Sequence, residues 1–172
     1  MRLYRGKIPL ISEEITNTLI QSEAIEVETS LVTEVILDVE SVLTEYNRLD
    51  REITEQAKDL IAARKMDYSQ LHRVRQTLAK KREFGINDQA FDWITDQLLE
   101  VMMHSRNVEE VFAEDNVLRR AMVQVLRTHT DLENELDSQV RDKIKNLQEG
   151  TQNWDVEYNK VLSDLRQNKG LE

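Results

Sequence analysis

Glu100 and His104 stand one helical turn apart, and so do His129 and Glu133. Residues four apart share a helix face, so each pair offers a carboxylate and an imidazole to one cation. Carboxylate-bridged metal bundles instead place Glu and His three apart and add further inward glutamates. That spacing is absent, and the chain has only three histidines and no cysteine. His129 falls on an apolar seam, where it reads as a packed ring with one polar nitrogen satisfied. The sequence therefore predicts no metal site and no cofactor.

Acid–base and nucleophilic chemistry fare no better. There is no glycine-rich phosphate loop, no nucleophile elbow and no thiol. The acidic clusters Glu13-Glu14, Glu109-Glu110 and Glu114-Asp115 each lie near an expected helix start, where negative charge complements the helix dipole. No catalytic residue is assigned, and a non-enzymatic role is expected.

One segment stands apart by charge. Between Arg64 and Arg82 there are seven Lys/Arg and one Asp, a net of +6 in a chain of net −10, which leaves −16 on the rest. On a helix over 68–83, Leu71, Val74 and Leu78 form the inward stripe. Arg73 and Lys80 point away from it, while Arg75 and Arg82 lie at its rim. The rim pair is expected to meet acids of a neighbouring helix. Arg73 and Lys80 are the candidate contacts for an anionic partner. That partner is either an acidic protein or, as the alternative, the phosphates of a nucleic acid met through 64–82. The chain as a whole is too acidic to hold nucleic acid by its overall field.

The elements that must position these residues are helices. Four glycines and one proline among 172 residues, with 40% apolar and 33% charged, leave little material for turns. Pro9 suits the first turn of a helix running to about Ser22. Val32, Val35, Val39, Val42, Tyr46, Leu49, Ile53, Gln56 and Leu60 follow at spacings of three and four. They predict a long helix over 30–66 with a heptad seam. Asp67 or Ser69 caps the basic helix, and Phe84-Gly85 stops it. Further helices are expected over 87–104, 107–113, 115–149 and 153–167, with Gly150 closing the one over 115–149. No stretch alternates as a strand does.

The chain also resembles itself. At a shift of 79, Gly6 meets Gly85, Ile15-Thr16 meets Ile94-Thr95, and Leu19 meets Leu98. At a shift of 83, Val42-Leu43 meets Val125-Leu126, and Leu49, Glu52, Gln56, Asp59 and Ile61 meet identical residues. Tyr46 meets His129. The four-residue difference is expected in the connection between short and long helix. Leu49 and Leu132 are expected as equivalent buried positions.

Four stretches, MRLYRGKIP (1–9), REITEQAKDL (51–60), MHSRNVEEVFAED (103–115) and NLQEGTQNWDVEY (146–158), resemble a bacterial family catalogued as domain of unknown function number five hundred and seven. The resemblance spans the whole chain. It implies a cytoplasmic bacterial protein standing as one domain, and it brings no activity, ligand or catalytic residue.

The expected fold is all-α. It is an elongated helical bundle of two duplicated short-helix/long-helix units plus a C-terminal helix, in one domain over 1–172. Unit one covers 6–66, a basic linker helix 67–84, unit two 85–149, and the closing helix 153–167. The expected function is a cytoplasmic binding or adaptor protein acting through helical surfaces, with a protein partner. No span is expected in a membrane, because the longest apolar run, Leu60 to Ala63, is far below the roughly 20 residues a crossing helix needs. The seam serves either packing within a monomer or a helix-mediated homodimer.

Overall fold

The structure, a computed structural model, describes residues 3–168, the side chains of residues 132 and 133 excepted. The described residues form six α-helices and one two-strand ribbon, so the fold is all-α. In chain order they are α1 (Ile8–Gln21), β1 (Ile25–Glu26), α2 (Val32–Ala63), α3 (Leu71–Lys81), α4 (Ala90–His104), β2 (Glu110–Val111), α5 (Asp115–Lys143) and α6 (Gln152–Asn168). They gather into two compact units, the first ending at Arg127 and the second starting at Thr128, inside α5.

In the first unit α1, α3 and α4 all pack on α2. The core is built from Ile11, Ile15 and Leu19 of α1, Val39, Leu43 and Ile53 of α2, Ile94 and Leu98 of α4, and Leu118, Met122 and Leu126 from the start of α5. The buried line on α2 runs Val35, Val39, Val42, Leu43, Tyr46, Ile53, Ala57 and Ile61. This corrects the expected seam at its far end, where Ala57 and Ile61 are buried while Gln56 and Leu60 sit at the margin. A straight helix returns to the same azimuth every 18 residues, as Val35/Ile53, Val39/Ala57 and Leu43/Ile61 do. A seven-residue repeat drifts off that line unless the helix supercoils. Leu49, expected in the interior, is half-buried at the core's edge. Leu132, its expected counterpart, has its side chain outside the described residues.

The segment 107–113 is not a helix. Glu110–Val111 runs antiparallel to Ile25–Glu26, with Ile25 opposite Val111 and Glu26 opposite Glu110. The Glu109 N–H donates to the Glu26 carbonyl at 2.9 Å, and the Phe112 N–H to that of Ala24 at 3.0 Å. Pairing with a segment some 80 residues away satisfies backbone groups that a seven-residue helix would leave largely unmade. It leaves Phe112, expected inward, 58% exposed. The connection after α4 is also held by a side chain of α2. The Asp38 carboxylate accepts from Ser105 Oγ at 2.9 Å and from Asn107 Nδ2 at 3.1 Å.

The order short helix, strand, long helix occurs twice. The connections 22–31 and 105–114 contain ten residues each, so the expected four-residue difference is not there. At one shift of 83, buried Ile11, Ser12, Ile15, Thr16 and Leu19 fall on buried Ile94, Thr95, Leu98, Leu99 and Met102. The same shift carries seven of the eight buried positions of α2 onto buried positions from Leu118 to Ile144, the exception being Tyr46 on half-buried His129. The shift of 79 matched because four residues are nearly one helical turn, so both registers superpose the apolar stripes.

In the second unit Asp137 of α5 accepts from the Tyr158 hydroxyl of α6 and from Arg141 Nε at 2.8 Å. Arg141 also reaches Glu149 at 3.0 Å and lies 5.4 Å over the Trp154 ring, which stacks on Tyr158. α5 ends at Lys143, six residues before its expected end, and the chain turns back so that Glu149 meets Arg141.

α1, α2 and α3 each end on a residue with positive φ that is not glycine: Glu23, Lys65 and Glu83. At each, the next N–H closes a bond five residues back, as Phe84 does to the Ala79 carbonyl at 3.0 Å. Glu83, not Gly85, thus turns the chain out of α3. We predict that Glu83→Gly raises stability by about 1 kcal/mol, since the left-handed conformation costs a side-chain-bearing residue roughly 1–2 kcal/mol. Chemical denaturation followed by circular dichroism checks it, and a lower midpoint would be the contrary result.

Candidate functional site

The basic segment is built on α2 and the turn that follows it. Asp67 opens it by accepting the Ser69 N–H at 2.8 Å, and the Ser69 hydroxyl, followed by that bond, holds the Asp67 carboxyl below the ordinary carboxylate range. Lys80 and Lys81 occupy the last turn of α3, where cations oppose the negative end of the helix dipole.

The exit from α3 is locked by aromatic packing. Phe84 stacks on Tyr46 at 5.0 Å, and Trp93 meets both rings, at 5.7 Å from Tyr46 and 5.0 Å from Phe84. Tyr46 donates its hydroxyl to the Gly85 carbonyl at 3.3 Å, and burial pushes its phenol above its ordinary value. Gly85 is required by close approach. A Cβ there would stand 2.2 Å from the Gln89 carbonyl oxygen and 2.6 Å from the Trp93 Cβ. Gly85→Ala is therefore expected to cost about 1–3 kcal/mol, the usual range for overpacking, as measured by thermal unfolding with Trp93 fluorescence. An unchanged midpoint would show that the connection relaxes freely.

The inner rim of α3 is paired with α2. Arg75 Nη2 bonds the Asp50 carboxylate. Arg82 reaches Glu52 at 2.8 Å and the Gln56 side-chain oxygen at 3.1 Å. Glu52 also receives Arg48 at 3.0 Å, and the two guanidiniums, Arg82 first, hold its carboxyl below the ordinary range. Gln56, the polar interruption of the expected seam, is thus an anchor for Arg82.

Arg73 and Lys80 are exposed, as are Arg64, Lys65 and Lys81. No carboxylate among the described residues is bonded to any of the five. From Tyr68 to Arg82 there is no acidic residue at all. Sequence spacing singles out Arg73 and Lys80. Arg64 and Lys65, counted in the basic segment, lie in the turn after α2 rather than on α3.

The other candidates do not converge. His104 turns its Nδ1 to the Glu100 carbonyl oxygen at 2.8 Å, so its ring lies against its own helix. His129 is half-buried, and the side chain of Glu133 lies outside the described residues. Among the described residues no three histidine or acidic side chains gather as a metal-binding group. Likewise, no helix among them is long and apolar enough to cross a membrane.

A family model described as "Protein of unknown function (DUF507)" matches residues 1–171. The chain belongs to the DUF507 family. No curated protein matches it. For a DUF507 chain the description brings no chemistry, so the α3 face must be judged on its own energetics. Arg75→Ala removes a half-buried charged contact and strands Asp50, and it is expected to cost about 1–3 kcal/mol. Arg73→Ala and Lys80→Ala in this DUF507 protein should each stay within about 0.5 kcal/mol. Urea unfolding of the three variants separates the two classes, and equal losses would place all three in one structural role.

Proposed function

We propose that this protein is a non-enzymatic binding protein of the bacterial cytoplasm. It meets an anionic partner through the outer face of α3. The observation that carries the reading is the division of cations on one helix. Arg75 and Arg82 are consumed by acids of α2, while Arg73 and Lys80 stay exposed in a chain with 33 acidic residues to spare. Clustered cations repel one another, so leaving them together without counter-charges costs stability that an external anion returns.

Duplication of one helical unit is the reading of its origin. It is supported by the repeated element order, the equal connections and the recurrence of burial at a shift of 83. The third helix fits the same scheme, since α3 follows α2 as α6 follows α5. The long helices serve internal packing, and the protein is proposed to act as a monomer.

Retention on a heparin matrix tests the reading. The wild-type protein should bind at low salt and elute as salt rises, and the Arg73→Glu/Lys80→Glu variant should flow through. Screening at about 0.15 M salt acts over roughly 8 Å, so weak exposed contacts are lost there first. A variant retained as strongly as wild type would remove α3 as the contact surface.

A further inference from the structure

We infer that the outer face of α3 is a docking ridge for an acidic helix of a protein partner. This rests on the reading of α3 as an anion-binding surface and adds the class of partner.

Three observations select a helix over a nucleic acid. The first is spacing. Arg73 and Lys80 are seven residues apart, which is nearly two full turns, so they lie on one line about 10 Å apart along the axis. A partner helix laid along α3 repeats its carboxylates at the same interval when they fall every seventh residue. Between the two cations the ridge carries Gln76 and Thr77, both exposed and neutral. The Thr77 hydroxyl donates to the Arg73 carbonyl at 3.0 Å, so it stays close to its own backbone and leaves the ridge low.

The second is the absence of a stacking platform. Single-stranded nucleic acid is held by aromatic rings that receive successive bases, together with a basic groove. The outer line Ser69, Arg73, Gln76, Thr77, Lys80 contains no Phe, Tyr or Trp. Tyr68, the one such ring between Arg64 and Arg82, is half-buried.

The third is extent. α3 has 11 residues and is about 16 Å long. It holds four cations and no acid, whereas the chain outside residues 64–82 carries −16. A polyanion longer than the ridge runs into that opposing field within a couple of Debye lengths. A helix presenting one acidic stripe of about three turns covers the ridge and ends with it.

The test uses the full chain and three fluorescent probes. One is an alanine-rich peptide of about 20 residues, long enough to be helical, with glutamates in one ridge at spacings of three, four and seven. The second has the same glutamates spread around the helix. The third is an oligouridylate of matching charge. Fluorescence anisotropy should show the ridge peptide binding most tightly. Arg73→Glu/Lys80→Glu should weaken it about tenfold, as expected for two exposed charge contacts turned repulsive. Arg119→Gln, which removes a cation of α5 paired with Asp96, should leave peptide affinity within about twofold of wild type.

Equal binding of the two peptides would overturn the docking ridge. So would an oligouridylate that binds more tightly than either, which would make the partner a nucleic acid. If heparin retention depends on Arg73 and Lys80 but no peptide binds, this inference falls and the anion-binding surface stands. Loss of both takes the proposed function with it.

Discussion

One helix has to serve three neighbours. α1, α3 and α4 all pack on α2, and each needs apolar side chains at its own azimuth and height. A straight helix with an 18-residue return provides this, because Val35, Val39 and Leu43 recur as Ile53, Ala57 and Ile61. The residues change in size along the line. Tyr46, the largest, sits where Phe84 and Trp93 close over it, and Ala57 lies farther along toward the end of the helix.

Charge is distributed by the same geometry. The margin of α2 beyond the apolar line carries Asp50, Glu52 and Gln56, and these take up the inner rim of α3. Pairing on one edge of a short helix fixes its rotation. With Arg75 and Arg82 held, Arg73 and Lys80 have no choice of direction. The exposed cations are a consequence of the docked ones, since Arg73, Arg75 and Lys80 stand on one 11-residue helix and Arg82 caps its end. The aromatic closure at Gly85 completes the constraint by holding the helix at its exit.

What was legible in the residues follows from the range of the forces involved. Helix positions and the pairing of Arg75 and Arg82 follow from local periodicity, which the inward stripe of α3 makes plain. The ribbon of Ile25–Glu26 with Glu110–Val111 was not legible. Two-residue strands have no period to detect, and their partners lie far apart in sequence. For a related reason spacing sets the long helices at the right shift of 83 but the short helices one turn off, at 79. Apolar stripes repeat nearly every four residues, so stripe matching cannot separate a shift of 79 from one of 83. Connection length, a structural quantity, does separate them. The cationic face of α3 follows from spacing, because Arg73 and Lys80 lie opposite the stripe of Leu71, Val74 and Leu78.

Glycine use shows how such a helical chain spends its few flexible residues. There are four in the sequence. Gly150 takes the positive φ that glycine tolerates best. Gly85 is used for contact instead, because a Cβ there would collide with the Gln89 carbonyl. The ends of α1, α2 and α3 are then left to Glu23, Lys65 and Glu83, each in the left-handed region. Lys65 is partly compensated, since a cation there faces the negative end of α2. Glu23 and Glu83 face the same sign of dipole and gain nothing from it. Low glycine content therefore did not mean few tight turns. It meant that the turns are made by side-chain-bearing residues under strain, and that packing of the long helices must be strong enough to hold them there.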